Sequence, residues 1–161
     1  MTELIWKQSY NTGIHEIDIQ HRQLLDYVNQ LDTARKLNSR TKVKNVIEGM
    51  ADYTLSHFAF EEALMEQANY PFTGPHRHIH KTLIARVVTF SERFKAGEDI
   101  ADEFHALLRR WLINHIQRDD AAYVKPVRAH LRAIEQEKAS SMEKKDPSSW
   151  LSRVAKKFFG G

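Results

Sequence analysis

Residues 57–80 read HFAFEEALMEQANYPFTGPHRHIH, the end of one helix joined by a turn to the start of another. Tyr70-Pro71 closes the first helix, because proline disfavours the helical region in the residue before it. Pro75 is tolerated in the first turn of the second. His57 and Glu61 stand four apart on the first helix, and His76 and His80 repeat that spacing on the second. Residues four apart project from one helix face, about one turn from each other.

The pattern continues on both sides. Upstream, a helix over 40–68 carries Val43, Val46, Ile47, Met50, Tyr53, Phe58, Leu64 and Met65, its stripe interrupted by Thr54. Before it, a helix over 18–37 places Leu24, Leu25, Val28 and Leu31 at helical period, with Asp18 at the capping position and Asn38-Ser39 as the break. The first 17 residues form an extended arm anchored by Trp6, Tyr10 and Ile14. Downstream, Ile79, Leu83, Val87, Phe90 and Phe94 line a helix over 74–96 that Gly97 stops. A fourth helix, 99–122, carries Phe104, Leu107, Leu108, Trp111 and Leu112. Four long helices on short loops predict an all-α, antiparallel up-down-up-down four-helix bundle with an N-terminal arm.

An extra C-terminal helical extension follows. Pro126 opens a helix over 126–142 that is polar except for Val127, Leu131 and Ile134. After Asp146-Pro147, Trp150, Val154 and Phe158 recur every four residues beside Leu151, with Arg153, Lys156 and Lys157 on the other side. Ser148 or Ser149 caps this segment and Gly160-Gly161 ends it. The chain divides into a bundle, 1–124, and an extension, 125–161, with a basic amphipathic tail.

Composition excludes several alternatives. The chain has 161 residues, 42% of them hydrophobic, which fits one domain with a buried core. No cysteine is present, so disulfide scaffolds, thiolate nucleophiles and Cys-based metal sites are out. Only 6 glycines and 4 prolines argue against a sandwich or barrel. No apolar run approaches the roughly 20 residues needed to span a bilayer. The start, MTELIWKQSY, lacks the shape of a secretory signal, so the expected location is the cytoplasm. The net charge of +3 comes from residues 138–161, and the basic tail has no recognition motif or stacking platform, so no nucleic acid is expected.

Nine histidines lie at 15, 21, 57, 76, 78, 80, 105, 115 and 130. In an antiparallel bundle the early part of helix one lies level with late helix two, early helix three and late helix four. His21, His57/Glu61, His76/His80 and His115 with Asp119 or Asp120 then share one cross-section. Burying these groups without partners costs on the order of several kcal/mol each, and a metal is the simplest common partner. Five imidazoles and at least two carboxylates exceed the needs of one tetrahedral ion and fit two ions bridged by carboxylates. Imidazole and carboxylate suit iron, manganese, zinc or copper alike; iron is the preferred reading. The Glu-x-x-His signature of carboxylate-rich di-iron sites is absent. Neutral imidazoles leave less negative charge on the metals, which disfavours high-valent states and points to reversible oxygen binding.

The stretches GIHEIDIQHRQLL, HFAFEEALM, YPFTGPHRHIH and WLINHIQRDDAAY together resemble the bacterial hemerythrins, over about residues 4–124. The resemblance implies a non-haem di-iron centre with an oxo or hydroxo bridge. One iron is held by His76, His80 and His115, the other by His21 and His57, and Glu61 and Asp120 bridge them. It implies dioxygen as the ligand, taken at an open position on the His21/His57 iron, with Trp111, Leu112 and Ile116 as apolar lining. The family's His-x4-Asp spacing selects Asp120 over Asp119. Helical periodicity does not make that choice, since five residues turn about 140°.

The function these readings imply is oxygen carriage, storage or sensing, without enzymatic activity. Two alternatives are a di-iron redox enzyme acting on peroxide or nitric oxide, and an oxygen- or iron-responsive adaptor signalling through the tail. His15, His78, His105 and His130 read as surface or packing residues, and Glu62 and Asp119 as solvated groups or as groups orienting a ligand imidazole. Residues 148–159 have three possible destinations: the bundle itself, a membrane surface that makes the protein peripheral, or a protein partner.

Overall fold

The computed structural model describes residues 3–140 and 148–159, with backbone alone for 148–151. The capping serines, Trp150, Leu151 and the terminal glycines of the tail reading lie outside the described side chains. Every regular element among the described residues is helical: α1 (His15–Lys36), α2 (Arg40–Gln67), α3 (Thr73–Lys95), α4 (Ala101–Asn114), a π-helical turn (His115–Asp120), α5 (Ala121–Ser140) and α6 (Ser148–Phe159).

Contacts between helix ends establish the antiparallel order. Arg35, at the end of α1, bonds Asp102 at the start of α4, while Arg40 at the start of α2 reaches the Phe94 and Glu98 carbonyls at the end of α3. At the opposite end, Arg77 of early α3 binds Glu62 and Glu66 of late α2. The first three helices end alike. Asn38, Asn69 and Gly97 take positive φ of 47°, 50° and 101°, and the next residue's N–H returns to a carbonyl of the last turn: Ser39 to Ala34, Tyr70 to Met65, Glu98 to Arg93. This is the Schellman closure, and asparagine and glycine tolerate its left-handed residue best. It ends α2 at Gln67, before Pro71 acts.

Two expectations are corrected. First, α1 begins at His15, three residues before Asp18. The Asp18 carboxylate reaches back to the arm instead, accepting from the Thr12 and Gly13 N–H groups and the Thr12 hydroxyl. Second, α4 does not end near 122, and Pro126 does not begin a helix. The chain runs from Ala101 to Ser140 through the π turn without a break, with Pro126 inside α5. Its missing N–H leaves only the Ala122 carbonyl without its helical donor, and Ala122 is exposed to water.

The arm docks as predicted: Tyr10 and Ile14 are buried, and Leu4 exchanges two 2.9 Å bonds with the Asn29 side chain. The main core joins Leu24, Val28 and Leu31 to Val43, Met50, Leu83, Phe90, Phe104, Leu108 and Leu112. A second cluster, Ile14, Ile17, Phe60, Leu64, Met65, Tyr123 and Val127, lies at the other end. Onto it α6 folds back, packing Val154, Ala155, Phe158 and Phe159, while Arg153, Lys156 and Lys157 face water. No helix among the described residues is long and apolar enough to cross a membrane.

Candidate metal centre

Four helices each bring ligating groups to one level. α1 supplies His21, α2 His57 and Glu61, α3 His76 and His80, and the π turn His115 and Asp120; all seven are 0–4% exposed. The structure brings together every residue the sequence singled out as a ligand.

Their arrangement has two halves. In one, the Nε2 atoms of His76, His80 and His115 converge, with His80 lying 3.0 Å from His76 and 3.2 Å from His115. Three imidazole nitrogens at about 2.1 Å from one ion and perpendicular to each other lie about 3.0 Å apart, so this spacing suits a shared cation. In the other half, His21 and His57 place Nε2 at 3.4 and 3.5 Å from Glu61 Oε1. The carboxylates serve both halves. Glu61 turns Oε1 to His21 and His57 and Oε2 to His80, at 3.2 Å. Asp120 turns Oδ2 to His21 at 3.2 Å and Oδ1 to His115 and His76 at 3.1 and 3.4 Å.

Several of these buried atoms have no hydrogen-bond partner among the described residues: both ring nitrogens of His21, His57 Nε2, Glu61 Oε2 and both oxygens of Asp120. Each such atom costs about 1–3 kcal/mol when left unsatisfied. A donor set of five imidazoles and two carboxylates, short of hydrogens but rich in lone pairs, fits cations.

Without a cation, protons take that part. Burial opposes charge on His21, yet Asp120 and Glu61 outweigh it and raise its pKa to about 9. Burial likewise opposes charge on His115, and Asp120, Asp119 and Glu61 raise it to about 10. His57 goes the other way, pushed down to about 3 by burial that Glu61 does not offset. Burial acts against ionisation of Glu61 too, but the surrounding imidazoles, His57 and His115 foremost, hold it well below the usual range.

Groups behind the imidazoles fix their orientation. His57 Nδ1 lies 2.9 Å from Gln20 Oε1, His80 Nδ1 2.9 Å from Glu62 Oε1, and His115 Nδ1 3.1 Å from Asp119 Oδ2. Each acceptor keeps the proton on Nδ1 and leaves Nε2 free to ligate. Phe58 stacks on His80 at 3.7 Å and Trp111 on His115 at 4.2 Å. Sequence reasoning raised this role for Glu62 and Asp119 without assigning their partners, and missed Gln20 and Tyr123. Asp119 stands four residues after His115, a legible signal; Gln20 has none, since its partner lies on another helix. His78 and His15 face water, and His130 is half-buried. His105 is buried far from the centre, 3.7 Å from Asp32, as a packing residue.

A void of about 20 Å³ adjoins the centre, lined by Leu24, Val28, Met50, Thr54, Leu83, Leu108, Trp111 and Leu112. Leu24, Thr54, Leu83 and Leu112 each lie three residues from a histidine of their own helix, all toward the same end of the bundle. The void therefore sits about one turn, roughly 5 Å, along the axis from the cluster. Of the three residues the resemblance implies as apolar lining, Trp111 and Leu112 line this void; Ile116 is buried in the same core but does not line it. Thr54, the interruption in the α2 stripe, faces this space.

Fold and site together define a metal-binding four-helix bundle with a histidine-rich donor set. Comparison with known proteins narrows the class. Residues 12–137 match the family model described as the hemerythrin HHE cation binding domain. A bacteriohemerythrin of Stenotrophomonas maltophilia (strain R551-3) is 46% identical over 160 residues, covering 99% of this chain and 100% of the relative. One from Pseudomonas aeruginosa (strain LESB58) is 45% identical over the same shares. A crystal structure of wild-type hemerythrin superposes with a TM-score of 0.73 at 27% identity, covering 78% of this chain and 98% of that one. The chain belongs to the hemerythrin family. The C-terminal extension is shared with the two bacterial relatives, which this chain matches from end to end, so it is no departure peculiar to this sequence.

Proposed function

We propose that this protein holds two iron ions side by side in the cluster and binds dioxygen there reversibly, for oxygen carriage, storage or sensing. The observation that carries the reading is the way Glu61 and Asp120 each divide their two oxygens between two groups of imidazole nitrogens. The assigned ligands are His76, His80 and His115 for one ion and His21 and His57 for the other, with both carboxylates shared. The half with two imidazoles has one nitrogen fewer, which leaves a position for a small ligand. Iron held by these residues would supply the electrons that dioxygen binding requires.

The chain's own residues keep that position selective. The void about one turn from the cluster has room for little more than one water-sized ligand. Its walls are aliphatic apart from Thr54 and Trp111, and a water needs 2–4 polar partners to settle, so the space favours an apolar diatomic. Among the described residues no carboxylate or imidazole lines the void to act as general acid or base, which favours a binding protein over an enzyme. Residues 1–124 supply every assigned ligand, and Leu131 of α5 with Val154, Ala155, Phe158 and Phe159 of α6 pack on the apolar cluster that holds Phe60 and Tyr123. The names of the bacteriohemerythrin relatives agree with this reading.

The test is metal analysis with an optical spectrum of protein reduced without air and then exposed to oxygen. About two irons per chain and a visible band that appears with oxygen and fades on its removal are expected. Immediate oxidation with no reversible band refutes oxygen carriage in favour of a redox enzyme; absence of iron refutes the metal assignment.

A further inference from the structure

Tyr123 is fully buried, and its hydroxyl donates a 2.6 Å hydrogen bond to Glu61 Oε1. That oxygen is the one facing His21 and His57. The tyrosine ring packs edge-on to His76, at 5.5 Å between centroids, and belongs to the apolar cluster with Phe60 and Val127. Its position is therefore set by packing on several sides, while its one polar atom meets a bridging carboxylate.

We infer that Tyr123 is a positioning residue that latches Glu61 across the two halves of the centre and so holds one carboxylate oxygen, Oε1, toward the His21/His57 cation. The inference rests on the two-ion reading. A carboxylate offers about four lone-pair sites, two on each oxygen. The Tyr123 bond occupies one on Oε1, leaving one for the cation on the His21/His57 side, while Oε2 serves the His76/His80/His115 side. To give both oxygens to the His76/His80/His115 side, Glu61 must rotate and carry Oε1 away from the phenol. Rotation breaks a buried bond and strands the hydroxyl away from water, which the surrounding Phe60 and Val127 packing does not compensate. The latch would keep one Glu61 oxygen for each cation, which matters most on the half that has only two imidazoles. Asp120 has no equivalent latch: among the described residues neither of its oxygens has a hydrogen-bond partner.

The test titrates metal-free protein with cobalt(II), whose visible bands report each filled position, comparing wild type with Tyr123→Phe. The variant keeps the ring and removes the bond. In wild type, two equivalents bind. In Tyr123→Phe the first, on the three-imidazole half, is expected to bind as in wild type, and the second 10- to 100-fold more weakly, the usual effect of losing a group behind a ligand. Equal weakening of both steps, or of neither, overturns the latch. Val127→Ala, which thins the same cluster but keeps the bond, is expected to leave the second step unchanged; if it weakens that step as Tyr123→Phe does, packing alone is responsible and the latch is overturned. Should Tyr123→Phe fold poorly, an experimental structure of cobalt-loaded wild type decides: Tyr123 Oη within hydrogen-bond distance of Glu61 Oε1 supports the latch, and separation overturns it. Wild type that binds fewer than two equivalents refutes the two-ion reading and this inference with it, whereas a failure confined to the variant refutes the latch alone.

Discussion

Gln20→Leu removes the acceptor behind His57 and little else, since leucine nearly matches the glutamine in volume and the site is buried. In wild type, Gln20 Oε1 holds the His57 proton on Nδ1 at 2.9 Å and leaves Nε2 unprotonated toward Glu61. Without that acceptor, the ring has two courses. It keeps the proton on Nδ1, where an unsatisfied buried donor costs about 1–3 kcal/mol. Otherwise it moves the proton to Nε2, which then faces Glu61 Oε1 and no longer offers a lone pair. Metal-free protein takes the second course at little cost, so its unfolding free energy is expected to change by less than about 1 kcal/mol. A cation on the His21/His57 half forces the first course, and at about 1.4 kcal/mol per factor of ten the penalty is roughly 5- to 150-fold in affinity. Anaerobic iron(II) titration against a competing chelator reads the two steps separately, and nitrogen-15 shifts of the imidazoles in metal-free protein report the tautomer. Wild-type affinity in the second step, or an unmoved His57 proton, refutes the assignment of Gln20 as the group that orients this ligand.

Four further outcomes follow from the same geometry. Leu112→Asn wets the small void and is expected to speed oxidation of oxygen-loaded protein several-fold; an unchanged rate, followed optically, sinks the assignment of that space. His21 and His115 hold protons up to about pH 9 and 10 in metal-free protein, and those charged forms compete with cations. Full loading therefore releases about two protons per chain at pH 7–8 and weakens as pH falls, and a calorimetric titration in buffers of different ionisation enthalpy measures the count. The same raised values stabilise the metal-free fold below pH 6.5, with the contribution lost as pH rises through 9 to 10. Deleting residues 143–161 strips α6 from Phe60, whose ring lies 6.3 and 6.0 Å from those of Phe158 and Phe159. Loss of a few half-buried apolar side chains at about 1 kcal/mol each, offset in part by the ordering entropy of the helix, predicts a drop of at most about 3 kcal/mol in a urea melt. No drop at all means that α6 does not rest on the bundle in solution.

The bundle and its ligand level were legible because both rest on local periodicity. Leu24, Val28 and Leu31 declare a buried face, each about one turn from the next, and His57/Glu61 and His76/His80 declare a polar level by the same arithmetic. What the sequence hid is what depends on partners across helices. Gln20 reads as an ordinary polar residue until α2 brings His57 against it. Thr54 reads as a flaw in a stripe, whereas it lines the void. Asp18 looked like a cap for its own helix and instead ties down the arm at Thr12 and Gly13. The helix start at Pro126 went wrong for a related reason. Proline is more comfortable in a first turn than inside a helix, but packing of Tyr123 and Val127 into the core carries the helix through it.

The π turn explains why local periodicity failed at Asp120. Counting about 100° per residue from His115 along an unbroken α-helix, Asp119 lies about 40° away, Asp120 about 140° and Tyr123 about 80°. On that count Asp119 is the ligand and neither Asp120 nor Tyr123 reaches the centre. A π turn takes in one residue more than an α turn before the chain comes round. With one residue absorbed between His115 and Asp120, Asp120 falls about 40° from His115 and Tyr123 about 20° on the other side. Both then face the cluster, where Asp120 Oδ1 meets His115 Nε2 at 3.1 Å and the Tyr123 hydroxyl meets Glu61. Asp119 is released to the rim, half-exposed, and bonds the far nitrogen of the same imidazole at 3.1 Å. A single widened turn thus gives His115 a carboxylate at each end, one behind the ring and one beside its ligating atom. It also sets the register that buries Tyr123 and Val127, so the fault in helical period and the covering of the site by α5 have one cause.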